Sequence, residues 1–82
     1  MTHTIVVTDI DIKVGKRWLA YKCPLALAMS RVIGAEIGVG QGTWWRQDDP
    51  FDEHDLPEAA IGFRRLFDNK NKVIPFMFEV EE

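Results

Sequence analysis

The sequence predicts a small α+β domain in which two helices cover one face of a small antiparallel sheet. Two observations predict this class. Apolar or alternating runs typical of strands lie near both ends of the chain, and two stretches between them carry apolar residues at helical spacing. The 82 residues form one domain, residues 1–82. Because a chain of this size buries only about 60–65% of its extended surface, its stability depends on a modest apolar core.

The first element is expected to be a strand at residues 3–8, because HTIVVT is β-branched and apolar. Its apolar residues fall on both faces, Ile5 and Val7 on one and Val6 on the other, which favours a central position in the sheet. The next segment has two interpretations. Asp9 caps a short helical turn that Gly15 ends, or the segment continues as an irregular extended arm.

The first main helix is expected to begin at Pro24 and to end at Gly34, because proline fits the first helical turn and glycine favours a left-handed cap. Its apolar stripe recurs at helical spacing and comprises Leu25, Ala28, Met29 and Val32. A β-hairpin follows. The segments EIGVG and TWWRQ flank Gln41-Gly42, with Gly40 and Gly42 free to adopt positive φ. An acidic loop interrupted by Pro50 comes next.

The second main helix is expected after Asp55, a suitable N-cap, with Pro57 in its first turn. The apolar positions that should form its buried face are Leu56, Ala59, Ala60, Phe63, Leu66 and Phe67. The last segment alternates as a strand does, with Phe76, Phe78 and Val80 on one face. Pro75 indicates an edge position for this strand, where a missing N–H is harmless. The predicted order is β-α-β-β-α-β, which matches the split βαβ, ferredoxin-like plan.

Composition and motifs exclude several classes of protein. One cysteine allows no internal disulfide, and one cysteine with two separated histidines cannot supply the four ligands of a zinc finger. No phosphate-binding loop or dinucleotide fingerprint is present. The first ten residues lack the pattern of a signal peptide, and no stretch approaches the roughly 20 apolar residues of a membrane span. We therefore expect a cytoplasmic domain without membrane contact, metal or cofactor.

Cys23 is the strongest candidate for a nucleophile, because the N-terminus of a helix favours the thiolate. A nucleophilic cysteine needs a base, and the only candidates are His3 and His54, both distant in the sequence. No nucleophile elbow or second cysteine accompanies it. Free cysteine commonly packs as a small apolar residue. We therefore expect Cys23 to be structural, no catalytic residue, and a protein that is not an enzyme.

Charge is distributed unevenly along the chain. Residues 1–34 carry a net charge of +3 and residues 35–82 a net charge of −6. A run without Lys or Arg contains the carboxylates Asp48, Asp49, Asp52, Glu53, Asp55 and Glu58. It lacks the ligand spacing of a calcium-binding loop, so its alternatives are a solvated loop or a face that binds a basic partner. Neighbouring strand residues point to opposite faces, so one indole of Trp44 and Trp45 should either be exposed as an anchor beside this run or cover the open sheet face together with Met77.

A second candidate surface combines basic and aromatic residues, as single-stranded nucleic acid binders do. It comprises Lys13, Lys16, Arg17, Trp18, Tyr21 and Lys22. The acidic total charge and the absence of recognition-module motifs weigh against it. This nucleic-acid-binding accessory role is the alternative to the acidic binding face.

Three segments carry a resemblance: IVVTDIDIKVG, CPLALAMSRVIG and FRRLFDNKNKVIPFMFEV. In them the chain resembles a group of small proteins, encoded by phages and prophages, that has no assigned activity. The resemblance implies a binding protein that inhibits a host protein stoichiometrically in the host cytoplasm, most concretely an anti-CRISPR-type inhibitor of host defence. Its partner would be a host protein or complex with a basic surface.

The oligomeric state is expected to be a monomer or a weak homodimer. The last strand lies at a predicted sheet edge, where it could pair with a copy of itself. Its carboxylates at Glu79, Glu81 and Glu82 disfavour that pairing.

Overall fold

The computed structural model describes residues 1–82 as five strands and three helices. In chain order these are β1 (Thr2–Val7), α1 (Asp9–Val14), α2 (Pro24–Ile33), β2 (Ile37–Val39), β3 (Thr43–Arg46), β4 (Asp49–Asp55), α3 (Glu58–Asp68) and β5 (Phe76–Glu81). The α+β class is confirmed. None of the three helices has the length and apolar character needed to cross a bilayer.

The strands form two antiparallel sheets where a single ferredoxin-like sheet was expected. β1 pairs with β5, and β2, β3 and β4 form a second sheet in that order. The element order is therefore β-α-α-β-β-β-α-β, with one more helix and one more strand than the sequence predicted. The additional helix is α1, in the segment that the sequence left open between a helical turn and an extended arm. The additional strand is β4, in the segment predicted as an acidic loop.

β1 does not occupy the central position that its composition favours. It pairs on one edge only, with Ile5 opposite Phe78 and Val7 opposite Phe76. Val6 is 44% exposed, so the expectation of two buried faces is wrong. The alternation predicted for β5 is confirmed, because Phe78 and Val80 are buried and Phe76 is half-buried, while the alternate residues Met77, Glu79 and Glu81 are exposed.

The segment after β1 is helical, as the first of its two interpretations states. The cap is Thr8, not Asp9, and Thr8 exchanges hydrogen bonds with Asp11 in a capping box. The buried carboxylate of Asp11 accepts two hydrogen bonds from Arg31, each 2.9 Å long. Burial alone would raise the pKa of Asp11, but the hydrogen bonds from Arg31 and Thr8 outweigh it and lower that pKa. The Asp11–Arg31 ion pair therefore links α1 to α2.

α2 begins and ends where the sequence predicts. Pro24 is its first residue, Cys23 is the N-cap, and Gly34 adopts φ 82° in the left-handed region. Leu25 and the other predicted stripe residues are buried, except that Val32 is 42% exposed. The stripe therefore ends one turn earlier than its periodicity indicates.

α3 differs from its prediction at its N-cap and at two positions within its apolar stripe. Asp55 closes β4, and Pro57 occupies the N-cap without a side-chain hydrogen bond. Ala59 is exposed and Leu66 is 48% exposed, so neither belongs to the buried face. Leu56 and the remaining stripe residues pack into the core as predicted.

The predicted hairpin is present as β2 and β3, with Gly38 opposite Trp45. Gly40 and Gly42 do not adopt positive φ, so their expected role in the turn is wrong. The hairpin places Trp44 in the core, which also contains Ile5 of β1 and Met29 of α2. One apolar core thus joins the two sheets and the helices.

Candidate functional site

The acidic segment predicted as a loop forms the strand β4. It pairs with β3, with Arg46 opposite Asp49 and Trp44 opposite His54, and a bulge interrupts the register between them. Pro50 is tolerated because β4 lies at the edge of its sheet. All the predicted carboxylates are exposed: Asp48, Asp49, Asp52, Glu53, Asp55 and Glu58. Four of these residues, Asp49, Asp52, Glu53 and Asp55, lie on the edge strand β4, whereas Asp48 precedes it and Glu58 is the first residue of α3.

Phe51 stands in the middle of this acidic strand and is 95% exposed. The phenyl ring between Pro50 and Asp52 contributes nothing to the core, and it is an apolar side chain on β4 that a partner could cover. Sequence analysis missed this residue. The available signal was its isolation, since Phe51 has no apolar neighbour at strand or helix spacing among the carboxylates.

A groove of about 550 Å³ separates β4 from β5. Its lining comprises Glu53, His54, Asp55, Leu56, Pro57, Glu79, Val80 and Glu81. Successive side chains of a strand point to opposite faces, so a groove lined by consecutive residues of two strands meets both along their edges. Each of these strands pairs on one edge only. The groove therefore offers two unpaired backbone edges and four carboxylates, with no Lys or Arg in its lining.

The two tryptophans of β3 lie in different environments. Trp44 is fully buried and stacks on His54 with 4.5 Å between ring centroids. Trp45 is half-buried, donates a 2.9 Å hydrogen bond from Nε1 to the Tyr21 hydroxyl, and meets that ring edge-on. Trp44 therefore cannot contact a partner, and only Trp45 presents part of an indole at the surface.

Glu82 joins the two sheets next to the acidic groove. Its carboxylate accepts hydrogen bonds from the Arg46 guanidinium and lies 2.9 Å from His3 Nε2. These bonds, led by the one from Arg46, lower the pKa of Glu82 to about 2. An ionised Glu82 thus ties β3 to the β1–β5 sheet at neutral pH.

Cys23 lies inside the protein. Its side chain is fully buried, and Sγ accepts a weak 3.5 Å hydrogen bond from the backbone N–H of Ala26. Burial raises the pKa of the Cys23 thiol, which disfavours the thiolate. His3 contacts Glu82, and His54 lies 3.6 Å from Asp52 Oδ2. Neither candidate base forms a hydrogen bond with the thiol, whose environment is that of a packing residue.

The predicted basic and aromatic segment divides into two parts. Tyr21 packs against Trp45, whereas Arg17 and Trp18 lie against the C-terminal end of α3. Arg17 Nε donates to the Phe67 carbonyl, and its guanidinium lies 5.3 Å from the Phe67 ring centroid. The remaining predicted residues are exposed lysines: Lys13, Lys16 and Lys22.

A cavity of about 180 Å³ lies beside Trp18. Its lining comprises Trp18, Gln41, Ile61, Arg64, Arg65 and Asp68. Sequence analysis missed the two arginines, because adjacent charged residues on a helix are usually its solvated face. No local sequence signal distinguishes them, because it is the fold that brings the basic segment against the end of α3.

No three His, Cys, Asp or Glu side chains converge in a way that could hold a metal ion. Comparison of the chain with protein-family models, with curated proteins and with solved structures gives no match.

Proposed function

We propose that this protein is a binding protein whose acidic edge strand captures a basic partner protein. One observation carries the proposal: β4 presents an unpaired edge, a row of exposed carboxylates and the bare ring of Phe51 on one strand. Unpaired strand edges are where extended segments of other proteins add to a sheet, and the carboxylates, which discourage pairing with another acidic strand, would favour a basic one.

The groove between β4 and β5 supports a defined mode of binding. An extended partner segment entering it would find unpaired N–H and C=O groups on both walls, which would supply main-chain hydrogen bonds. Glu53 and Asp55 on one wall, with Glu79 on the other, would select Lys or Arg side chains and speed their approach. Phe51 lies on the same strand outside the groove lining, and its exposed ring would supply an aromatic anchor for the partner.

The resemblance to small phage and prophage proteins makes a host protein the proposed partner. Occlusion of a basic nucleic-acid groove by an acidic strand needs no catalytic residue and no cofactor. An anti-CRISPR-type inhibitor acting by stoichiometric binding is the most concrete form of the proposal.

The test is a pull-down of the tagged protein from nuclease-treated bacterial lysate, followed by quantitative mass spectrometry. The test variant reverses two groove carboxylates, Glu53→Lys with Asp55→Lys. The matched control reverses two exposed carboxylates elsewhere, Asp9→Lys with Glu36→Lys, and so changes the net charge equally. We expect a stoichiometric partner to remain with the control and to be lost with the test variant.

Phe51→Ser separates the aromatic anchor from the charges. Removal of a central aromatic anchor costs about 2 kcal/mol, so affinity for the captured partner should fall roughly thirtyfold. Because the Phe51 ring lies outside the core, its removal should leave the stability of the folded state unchanged. Retention of the partner by every variant, or a partner that the wild type captures from untreated lysate but not from nuclease-treated lysate, would show that the acidic edge is not the binding surface.

A further inference from the structure

The backbone of Trp18 is held in a conformation that bulky residues avoid. Its φ is 64°, in the left-handed region, where a side chain other than glycine is strained. Asp68 Oδ1 accepts the Trp18 N–H at 3.0 Å, and the neighbouring Arg17 is bonded to the Phe67 carbonyl. The indole gains little burial in return, since Trp18 remains 63% exposed. Strain of this kind is concentrated at functional sites.

The adjoining cavity has the charge of an anion site. Arg64 Nε is buried, has no hydrogen-bond partner, and lies 3.4 Å from Asp68 Oδ2. The two oxygens of Asp68 therefore face Trp18 and Arg64, and one guanidinium offsets the carboxylate charge. Arg65 lines the same cavity, is exposed and forms no ion pair within the chain. Its guanidinium is free to meet an anion.

We propose that this cavity and the Trp18 indole bind a nucleotide unit, with the base stacked on Trp18 and a phosphate at Arg65. An exposed indole provides a flat stacking surface that suits any base, and a guanidinium pairs with two phosphate oxygens at once. The amide of Gln41 is placed to hydrogen-bond a base edge or a sugar. This surface is distinct from the acidic groove, so the inference does not depend on the proposed partner protein.

The size of the cavity identifies the source of the nucleotide. Enclosed ligand sites usually exceed about 300 Å³, and this cavity measures about 180 Å³. It can accept one group of the ligand while the rest lies outside on the indole. An open platform of this kind suits a single strand, whose neighbouring phosphates would pass the exposed Lys16.

The experiment measures the fluorescence anisotropy of a labelled oligothymidylate of about twelve nucleotides at low salt. Trp18→Asn removes the indole, and asparagine tolerates positive φ, so the segment keeps its shape. We expect this variant to bind about tenfold more weakly. Arg65→Gln should reduce the slope of log K against log salt by about 0.7, the value for one phosphate contact on a single strand. Lys72→Gln, an equal charge change at another exposed site, should leave the slope unchanged.

Competition separates the possible ligands. If thymidine monophosphate displaces the oligonucleotide at the same nucleotide concentration, the site binds free nucleotides. The assignment of a nucleotide ligand then stands, and the assignment of a single strand as its source is wrong. If the monophosphate does not displace the oligonucleotide, the site recognises a strand, as inferred. Equal displacement by inorganic phosphate, or no saturable binding by the wild type, would overturn the proposal. Since the Arg65 guanidinium forms no hydrogen bond or ion pair within the chain, Arg65→Gln keeps the test decisive even if Trp18→Asn does not fold.

Discussion

Replacement of Gly38 by alanine should destabilise the protein strongly, because the space for a side chain is already filled by Trp45. A Cβ built at Gly38 would overlap Cε2 and Nε1 of the Trp45 indole and would lie 2.7 Å from Cζ2. The backbone of β2 pairs at this point with that of β3, so the ring must give way. Its movement would break the hydrogen bond from Trp45 to the Tyr21 hydroxyl.

The expected cost follows from three contributions. Forcing extra volume into a packed site costs about 1–3 kcal/mol, loss of the indole hydrogen bond about 1 kcal/mol, and loss of the edge-to-face contact about 1 kcal/mol. The sum is about 3 kcal/mol or more, against a total stability of about 4–12 kcal/mol for a chain of this length. The melting temperature should fall by about 12–24 °C or more.

The assay is equilibrium urea unfolding with thermal melting of Gly38→Ala and of a matched control, Gly42→Ala. A Cβ at Gly42 meets nothing within 4 Å, and Gly42 does not adopt positive φ. The control should remain within about 0.5 kcal/mol of the wild type. Equal stability of the two variants would refute the packing argument for Trp45.

Two further predictions concern ionisable groups. Because the pKa of Glu82 is lowered from 4.5 to about 2, its ion pair should stabilise the fold above about pH 4.5 and lose this effect as the pH falls towards 2. The pKa shift sets an upper bound of about 3 kcal/mol on this stabilisation. Solvent screening at the surface reduces the expected value to about 1 kcal/mol. Urea unfolding at several pH values should show a smaller loss of stability on acidification for Glu82→Gln than for wild type, and identical profiles would contradict the assignment. Cys23 should react slowly with a thiol-alkylating reagent in the native protein and rapidly in urea, because burial raises its pKa and blocks access. Equal labelling rates in both conditions would show that the thiol is accessible.

The elements that could be predicted from the sequence are those with local signals. Cys23, Pro24 and Gly34 define the ends of α2 by their own backbone preferences, and the structure places both ends there. The alternation in β5 marks its buried face for the same reason. β4 carried the opposite signal, because carboxylates and Pro50 disfavour strands. β4 is a strand because it pairs with β3, and no local sequence pattern predicts that pairing.

The candidate sites were predictable only in part. The position of the carboxylates in the sequence indicated an acidic surface, but the groove requires β5, which is distant in the chain. Phe51 was missed because an aromatic residue is expected to be buried, and its 95% exposure depends on the packing of the whole domain. Arg64 and Arg65 meet Trp18 only after the basic segment folds back onto α3.

The pairing of β1 with β5 has a consequence for the folding kinetics. Thr2 and Glu81 face each other across this ladder although 79 residues separate them, whereas β2, β3 and β4 are neighbours in the chain. Closing so long a loop costs conformational entropy before any contact repays it, so the local three-stranded sheet should form first and the β1–β5 ladder last. A destabilising change such as Val80→Ala should therefore leave the folding rate nearly unchanged and accelerate unfolding, which a stopped-flow chevron measures directly.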